Sequence, residues 1–243
     1  MYIYILRKIL RLIMLKTIKS KIQIEKKDEQ VDRNNFDPIP STSFVWIISG
    51  KKGTGKSTLL LNLLDIKKKY GGLKKRFTKI YMISPTAGID PKFNKLTKEL
   101  KNSERFYDIP DNKTFTEILE DVQNSDGDNL LILDDCADRL PKSTDQSILN
   151  RLVILSRHFK LSIIITSQKY NKINPLIRSN ADLISFFRTD NKREFKTLDE
   201  DINTDLEKLR KAYEFSTDRN NFLHINMYTN PINFYKNFDR IVF

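Results

Sequence analysis

The stretch Gly50-Lys51-Lys52-Gly53-Thr54-Gly55-Lys56-Ser57 limits what this chain can fold into more than any other feature, because it matches G-x-x-x-x-G-K-[ST] in full. Three of the seven glycines fall in these eight positions, so the cluster is not a general richness in glycine. Glycine lets a backbone turn through positive φ and approach a phosphate with no Cβ in the way. The amides of such a loop point inward, at the positive end of the helix that follows. Lys56 is placed to reach the β- and γ-phosphates, and the Ser57 hydroxyl is a hard oxygen ligand suited to Mg²⁺. The expected nucleotide-binding set is therefore Gly50, Lys51, Lys52, Gly53, Thr54, Gly55, Lys56, Ser57 and Thr58, with ATP and Mg²⁺ as ligands.

Flanking sequence agrees with that reading. Phe44–Ser49 is a short apolar run of strand formers, and residues 57–64 read as a helix. Further strands are expected at Lys79–Ser84, Leu130–Leu133, Leu161–Thr166 and Leu183–Phe187. Helices are expected at residues 92–101, 113–123, 143–158 and 201–213, and Phe222–Tyr228 reads as a strand at the sheet edge. The strands are continuous apolar runs rather than alternating ones, which is the mark of a parallel sheet covered on both faces. The expected fold is α/β, a doubly wound and mainly parallel sheet with its ligand at the C-terminal strand ends. Residues 17–40 are polar and end in Asp37-Pro38-Ile39-Pro40, so a linker is expected there and one catalytic domain over 41–243.

A second chemical signal is Leu130-Leu131-Ile132-Leu133-Asp134-Asp135, an apolar strand ending in two carboxylates. With the phosphate loop in place, Asp134 is the candidate to hold Mg²⁺ through its water shell, and Asp135 the general base for an attacking water. Cys136 reads as a small buried residue. His158 and His224 lack ligand spacing and read as structural.

The run 161–166 leads into Ser167 and Gln168. A sheet with an extra strand between the two motifs and a polar residue at the next strand tip resembles the additional-strand, catalytic-acid (RecA/FtsK-like) branch of P-loop NTPases. That resemblance implies that Gln168 senses the γ-phosphate and orients water. The ordered set SGKKGTGKSTLLLNLL, YMISPT, LLILDDCADRL, LSRHFKLSIIITSQ and NPLIRSNADLISFFR is similar to the DNA-packaging ATPases of poxviruses, giant viruses and virophages, within the FtsK–HerA superfamily. The resemblance covers roughly residues 44–190. It implies an ATP-driven translocase for viral double-stranded DNA, a homo-oligomeric ring with nucleotide at subunit boundaries, and an arginine given by the neighbour. Arg157, Arg178 and Arg188 are the candidates for that arginine, a group worth 10³–10⁵ in rate in related chemistry. A virion or viral-factory location in the host-cell cytoplasm follows from the same resemblance, and no secretion signal is recognised.

Charge fits a polyanionic partner. The formal net charge is +12 over 243 residues. Lys67-Lys68-Lys69 and Lys74-Lys75-Arg76, separated by Gly71-Gly72, form a basic cluster that is either a sequence-independent phosphate contact or a solvated loop. Residues 1–16 read as a basic amphipathic helix, too short and too charged to span a bilayer. It is a candidate contact with capsid or membrane, or a helix packed on its own domain. One cysteine excludes an internal disulfide. Two other functions remain open on sequence: a small-molecule P-loop kinase, and a nucleotide-switched assembly protein.

Overall fold

A strand that is apolar at every position can be buried only when both faces of its sheet are covered. The computed structural model shows that arrangement. It describes residues 38–243 apart from 42, 66–71, 141–146, 203 and 219. The proposed helix at residues 1–16, most of the linker, the Lys67–Lys69 run and Gly71 lie outside the described residues.

The described strands are β1 (Val45–Ser49), β2 (Lys79–Ile83), β3 (Phe106–Tyr107), β4 (Asn129–Leu133), β5 (Leu161–Ser167), β6 (Leu183–Phe187), β7 (Phe222–Asn226), β8 (Asn233–Lys236) and β9 (Asp239–Arg240). The α-helices are α1 (Lys56–Leu64), α2 (Asn94–Asn102), α3 (Asn112–Gln123), α4 (Ile148–Ile154), α5 (Pro175–Ser179), α6 (Lys192–Asp201) and α7 (Leu206–Ser216). One sheet holds the strands in the order β3-β2-β4-β5-β1-β6-β7-β8-β9. From β3 to β6 every pairing is parallel, and from β6 onward the pairings are antiparallel. The fold is thus the expected doubly wound α/β sheet, extended by an antiparallel flank. In the sheet the strand between β1 and β4 is β5, whereas the run 80–83, which separates the two motifs in sequence, belongs to β2 on the far side of β4.

Alternation along each strand divides the core into two layers. Val45, Ile47, Tyr81, Ile83, Leu131, Leu133, Ile163 and Ile165 face one layer with residues of α3, α4, α6 and α7. Phe44, Trp46, Ile48, Met82, Leu130, Ile132 and Ile164 face the other, with Leu59, Leu60 and Leu63 of α1 and Leu96 and Leu100 of α2.

Several expected bounds are corrected. Of the helix expected over 143–158, residues 143–146 lie outside the described residues, Ile148–Ile154 are helical, and residues 155–158 belong to a run of turns that extends to 160. Lys160, at φ 48, reverses the chain into β5, a backbone state no helix interior allows. The helix expected at 201–213 begins at Leu206 instead, capped by Asp205, whose side chain accepts the Lys208 amide at 3.0 Å. Helix α6 just before it was not expected. The strand expected over 222–228 ends at Asn226 and is not the edge, since β8 and β9 pair beyond it.

The domain's contacts begin ahead of residue 41. Trp46 Nε1 donates to Ser185 Oγ at 3.0 Å, Ser185 Oγ meets His224 Nδ1 at 3.0 Å, and His224 Nε2 meets the Pro38 carbonyl at 3.1 Å. With the indole as donor to Ser185, the hydroxyl proton is available to His224 Nδ1, which leaves Nε2–H to donate to Pro38. His224 is fully buried. It serves packing and entry of the chain, as a structural histidine should.

Candidate active site

Strand order puts the C-terminal ends of β1, β5 and β4 side by side, and the residues singled out in sequence follow those ends directly. The loop Gly50–Gly55 leaves β1 and enters α1. Gly53 and Gly55 have φ of 84 and 108, in the left-handed region that side chains disfavour. At Gly50 the reason is space: a Cβ there would stand 2.6 Å from Phe187 Cβ and 2.7 Å from Thr54 Oγ1. Thr54 Oγ1 closes the loop on the Lys51 carbonyl at 2.9 Å. Helix α1 opens on Gly55 with no side-chain cap. By contrast α3, α5, α6 and α7 are capped by Asp111, Asn174, Asn191 and Asp205. The leading amides of α1 therefore remain available to an anion.

Lys56 is buried, and its Nζ donates to the carbonyls of Gly50 at 2.6 Å and Lys51 at 3.0 Å. Burial lowers its pKa, while Asp135 and Asp134 raise it in partial compensation. Lys51 forms an ion pair with Asp190, which tethers the loop to the segment between β6 and α6.

Asp134 is buried between two strand tips. Thr166 Oγ1 donates to its Oδ1 at 2.7 Å, and Ser84 Oγ donates to its Oδ2 at 3.1 Å. Desolvation pushes its pKa up, against the two hydrogen bonds, with Asp135 adding to the rise and Lys56 opposing it. A carboxylate so placed gains by meeting a cation. Asp135 turns away into the left-handed region, at φ 48, and its amide donates to Thr166 Oγ1 at 3.0 Å. That turn sets its carboxylate against Gln168, whose Nε2 donates to both oxygens, at 3.0 and 2.9 Å.

These groups border one cavity of about 440 Å³. Its lining includes Lys52, Gly53, Gly55, Lys56, Ser57 and Thr58 from the loop side, and Asp134, Asp135, Thr166 and Gln168 from the opposite wall. The Ser57 hydroxyl and the Asp134 carboxylate are two of the hard oxygen donors there. Mg²⁺ takes few protein ligands and completes its shell with phosphate oxygens and water. Among the described residues no group of three His, Cys, Asp or Glu side chains could hold a metal ion unaided. The donor set therefore fits a magnesium ion that arrives with a triphosphate.

The three arginines lie apart. Arg178 is largely buried, with Nε on Asp201 at 2.7 Å, Nη1 on the Ile173 carbonyl at 2.6 Å, and its guanidinium over the Tyr170 ring. Arg157, 61% exposed, pairs with Asp182 at 3.1 Å and lies over Tyr228. Asp182 also accepts the amide of Val45, the first residue of β1. Arg157 thus sits at the N-terminal edge of the sheet, opposite the cavity of its own chain. Arg188 is exposed, follows β6 beside the phosphate loop, and makes no hydrogen bond or ion pair among the described residues.

Sequence reasoning passed over Ser84 and Thr166, the residues that hold Asp134. Both are polar residues ending apolar runs, the same signal that pointed to Asp134. It also passed over Thr86, Asp90, Lys92 and Phe93, which line the cavity from the loop after β2.

Solved structures share this architecture. The genome packaging NTPase B204 from Sulfolobus turreted icosahedral virus 2 in complex with AMP matches with a TM-score of 0.60 at 18% identity, over 80% of this chain and 97% of that one. Its complex with AMPPCP matches at 0.58 and 19%, over 80% and 97%. The DNA-packaging ATPase B204 from Sulfolobus Turreted Icosahedral Virus matches at 0.57 and 19%, over 81% and 98%. At such identities the likeness is one of fold. No curated protein matches the chain by sequence. The family model of the poxvirus A32 protein matches residues 29–223. This chain belongs to the poxvirus A32 protein family.

Proposed function

We propose that the protein is a Mg²⁺-dependent ATPase that drives viral double-stranded DNA into a capsid, acting as a homo-oligomer with nucleotide bound at subunit boundaries. The observation that carries this reading is the gathering of the phosphate loop, Asp134 and the Asp135–Gln168 pair around one cavity. Membership of the A32 family and a fold shared with genome packaging NTPases support it.

The chemistry assigned to each residue follows from its surroundings. Loop amides and the Lys56 ammonium hold the β- and γ-phosphates, whose oxygens displace the Gly50 and Lys51 carbonyls as partners of Nζ. Ser57 and Asp134 would hold Mg²⁺, which when bound neutralises charge on the phosphate oxygens. Asp135 takes a proton from the attacking water, and Gln168 orients that water and reports on the γ-phosphate. As long as Gln168 spans both oxygens of Asp135, the carboxylate is engaged by that amide rather than by an attacking water. A γ-phosphate that competes for the Gln168 amide releases Asp135, so substrate itself arms the base.

A neighbouring subunit supplies the arginine. The contacts of Arg178 commit it to its own fold, which leaves Arg157 and Arg188 for that role. DNA is held through its phosphates without base reading, in keeping with a net charge of +12. A virion or viral-factory location goes with this function. Among the described residues no helix is long and apolar enough to cross a membrane.

The decisive experiment is hydrolysis by purified protein with and without duplex DNA at low salt. ATPase activity should rise with DNA, fall steeply as salt is added, and vanish in Lys56→Ala. Turnover indifferent to DNA would remove the motor reading. Phosphoryl transfer to nucleosides or nucleotides would favour a kinase, and nucleotide-dependent assembly without turnover would favour a switch.

A further inference from the structure

The loop after β2 forms a wall of the cavity. Thr86, Asp90, Lys92 and Phe93 line it. The loop is tied to the acidic strand end through Ser84, whose Oγ donates to Asp134 Oδ2 and accepts the Ala87 amide at 3.0 Å. The Thr86 carbonyl accepts the amides of Ile89 and Asp90, each at 3.1 Å. On the far side, Phe93 is buried with the apolar residues of α1 and α2. Asp90 is therefore fixed from both ends, a short chain of hydrogen bonds away from Asp134.

One oxygen of Asp90 serves the fold. Its Oδ1 accepts the Lys92 amide at 3.0 Å and caps the short 3₁₀ turn Pro91–Phe93. Its Oδ2 has no hydrogen-bond partner among the described residues. At the neighbouring acidic strand end the acceptors are engaged. Both oxygens of Asp134 accept hydroxyl protons, and Thr166 Oγ1 donates to Asp134 while accepting the Asp135 amide.

A water that attacks phosphorus directs one lone pair at it and has two O–H groups to place. Aligning it takes two acceptors, with a donor for its second lone pair. Asp135 provides one acceptor and Gln168 the donor. We propose that Asp90 is a second water-holding carboxylate of this site, accepting the other O–H through Oδ2. The proposal rests on the ATPase reading above. In the step, the water oxygen bonds to the γ-phosphorus as the bond from phosphorus to the β–γ bridging oxygen breaks. ADP leaves with that electron pair. One water proton passes to Asp135, and the other stays on the new phosphate oxygen, pointing at Asp90.

Asp90→Asn tests this, because it keeps an oxygen to cap Lys92 and nearly the same volume while replacing the free acceptor by a donor. Asp90→Ser keeps a cap without any carboxylate. Turnover of ATP and affinity for a non-hydrolysable ATP analogue with Mg²⁺ are measured beside wild type. Expected is a fall in kcat of about thirtyfold or more in both variants, with analogue affinity kept within about threefold. Turnover of Asp90→Asn within about threefold of wild type would overturn the proposal while leaving the ATPase reading intact. So would loss of analogue binding or of folding in both variants, which would assign Asp90 to loop geometry alone. Wild-type protein without turnover would end both readings together.

Discussion

Gln168 donates its side-chain amide to both carboxylate oxygens of Asp135, although the two residues are 33 positions apart in sequence. Neither is deeply buried, so the pair is not there for stability. If it holds the base until a γ-phosphate arrives and then aligns the water, Gln168→Ala should leave the base unclamped at all times and the water unaligned. We expect kcat to fall by about 10²-fold with analogue binding changed less than about threefold, read by steady-state hydrolysis and a binding titration. Equal losses in kcat and in analogue binding would instead make Gln168 a ligand-binding residue.

Asp134 depends on its two hydroxyl donors in the same way. Thr166→Val removes the 2.7 Å hydrogen bond and the acceptor for the Asp135 amide while keeping the side-chain shape. A buried group left without its partner costs about 1–3 kcal/mol. We expect a lower Tm, and a Mg²⁺ requirement for ATP hydrolysis shifted to higher concentration. Titrating Mg²⁺ at fixed ATP checks the second effect, and an unchanged Mg²⁺ curve would separate Thr166 from the cation.

Arg178 and the two exposed arginines should part in their effects. Arg178→Ala leaves Asp201 with Tyr170 alone, after loss of a charge-assisted hydrogen bond at 2.7 Å. A cost of about 2–3 kcal/mol lowers Tm by roughly 5–10 °C in a domain of this size. Arg157→Ala and Arg188→Ala should hold Tm within about 2 °C, with one of them lowering DNA-stimulated turnover. A thermal melt beside an ATPase assay of the three variants decides it. A stable, inactive Arg178→Ala would reverse the assignment.

Cys136 gives a prediction in pH. Burial pushes its thiol up to about 12, and Asp134 and Asp135 add to the shift. The thiolate is the reactive form, so at pH 8 the native protein should label very slowly with a thiol reagent, and rapidly once unfolded in urea. The sign for stability follows. Below the ordinary thiol value of 9.0 both states are neutral and the contribution is intact. As pH climbs from there toward about 12 the unfolded chain ionises first, and stability is lost. Prompt labelling of the native protein at pH 8 would show the thiol to be reachable.

The sheet centre was legible because β1, β4, β5 and β6 are dominated by apolar residues, interrupted within the run only by Ser162 in β5 and Ser185 in β6, and each is followed by polar residues at its tip. Its rim was not. Strands β3 and β9 are two residues long and carry no periodic signal. Helix α6, KREFKTLDED, shows little beyond Phe195 and Leu198 as an apolar stripe, and its charged remainder reads as loop. The helix expected through residue 158 stops early because Leu155–Lys160 turn the chain back into β5, a choice made by tertiary pairing rather than propensity. In the site, Asp134 and Asp135 stood out as neighbours in sequence. Ser84 and Asp90 did not, since their link to Asp134 spans 50 and 44 positions and exists only once β2 lies beside β4.

The hydrogen-bonded chain from Trp46 through Ser185 and His224 to Pro38 has a practical consequence. The protein contains one tryptophan, and that indole lies wholly inside, on the strand that feeds the phosphate loop. Its fluorescence is therefore an intrinsic optical gauge in a single place, with no label and no background from other indoles. Emission should be blue-shifted in the native state and move to the red when β1 parts from β6, so that the melts called for above can be followed by light.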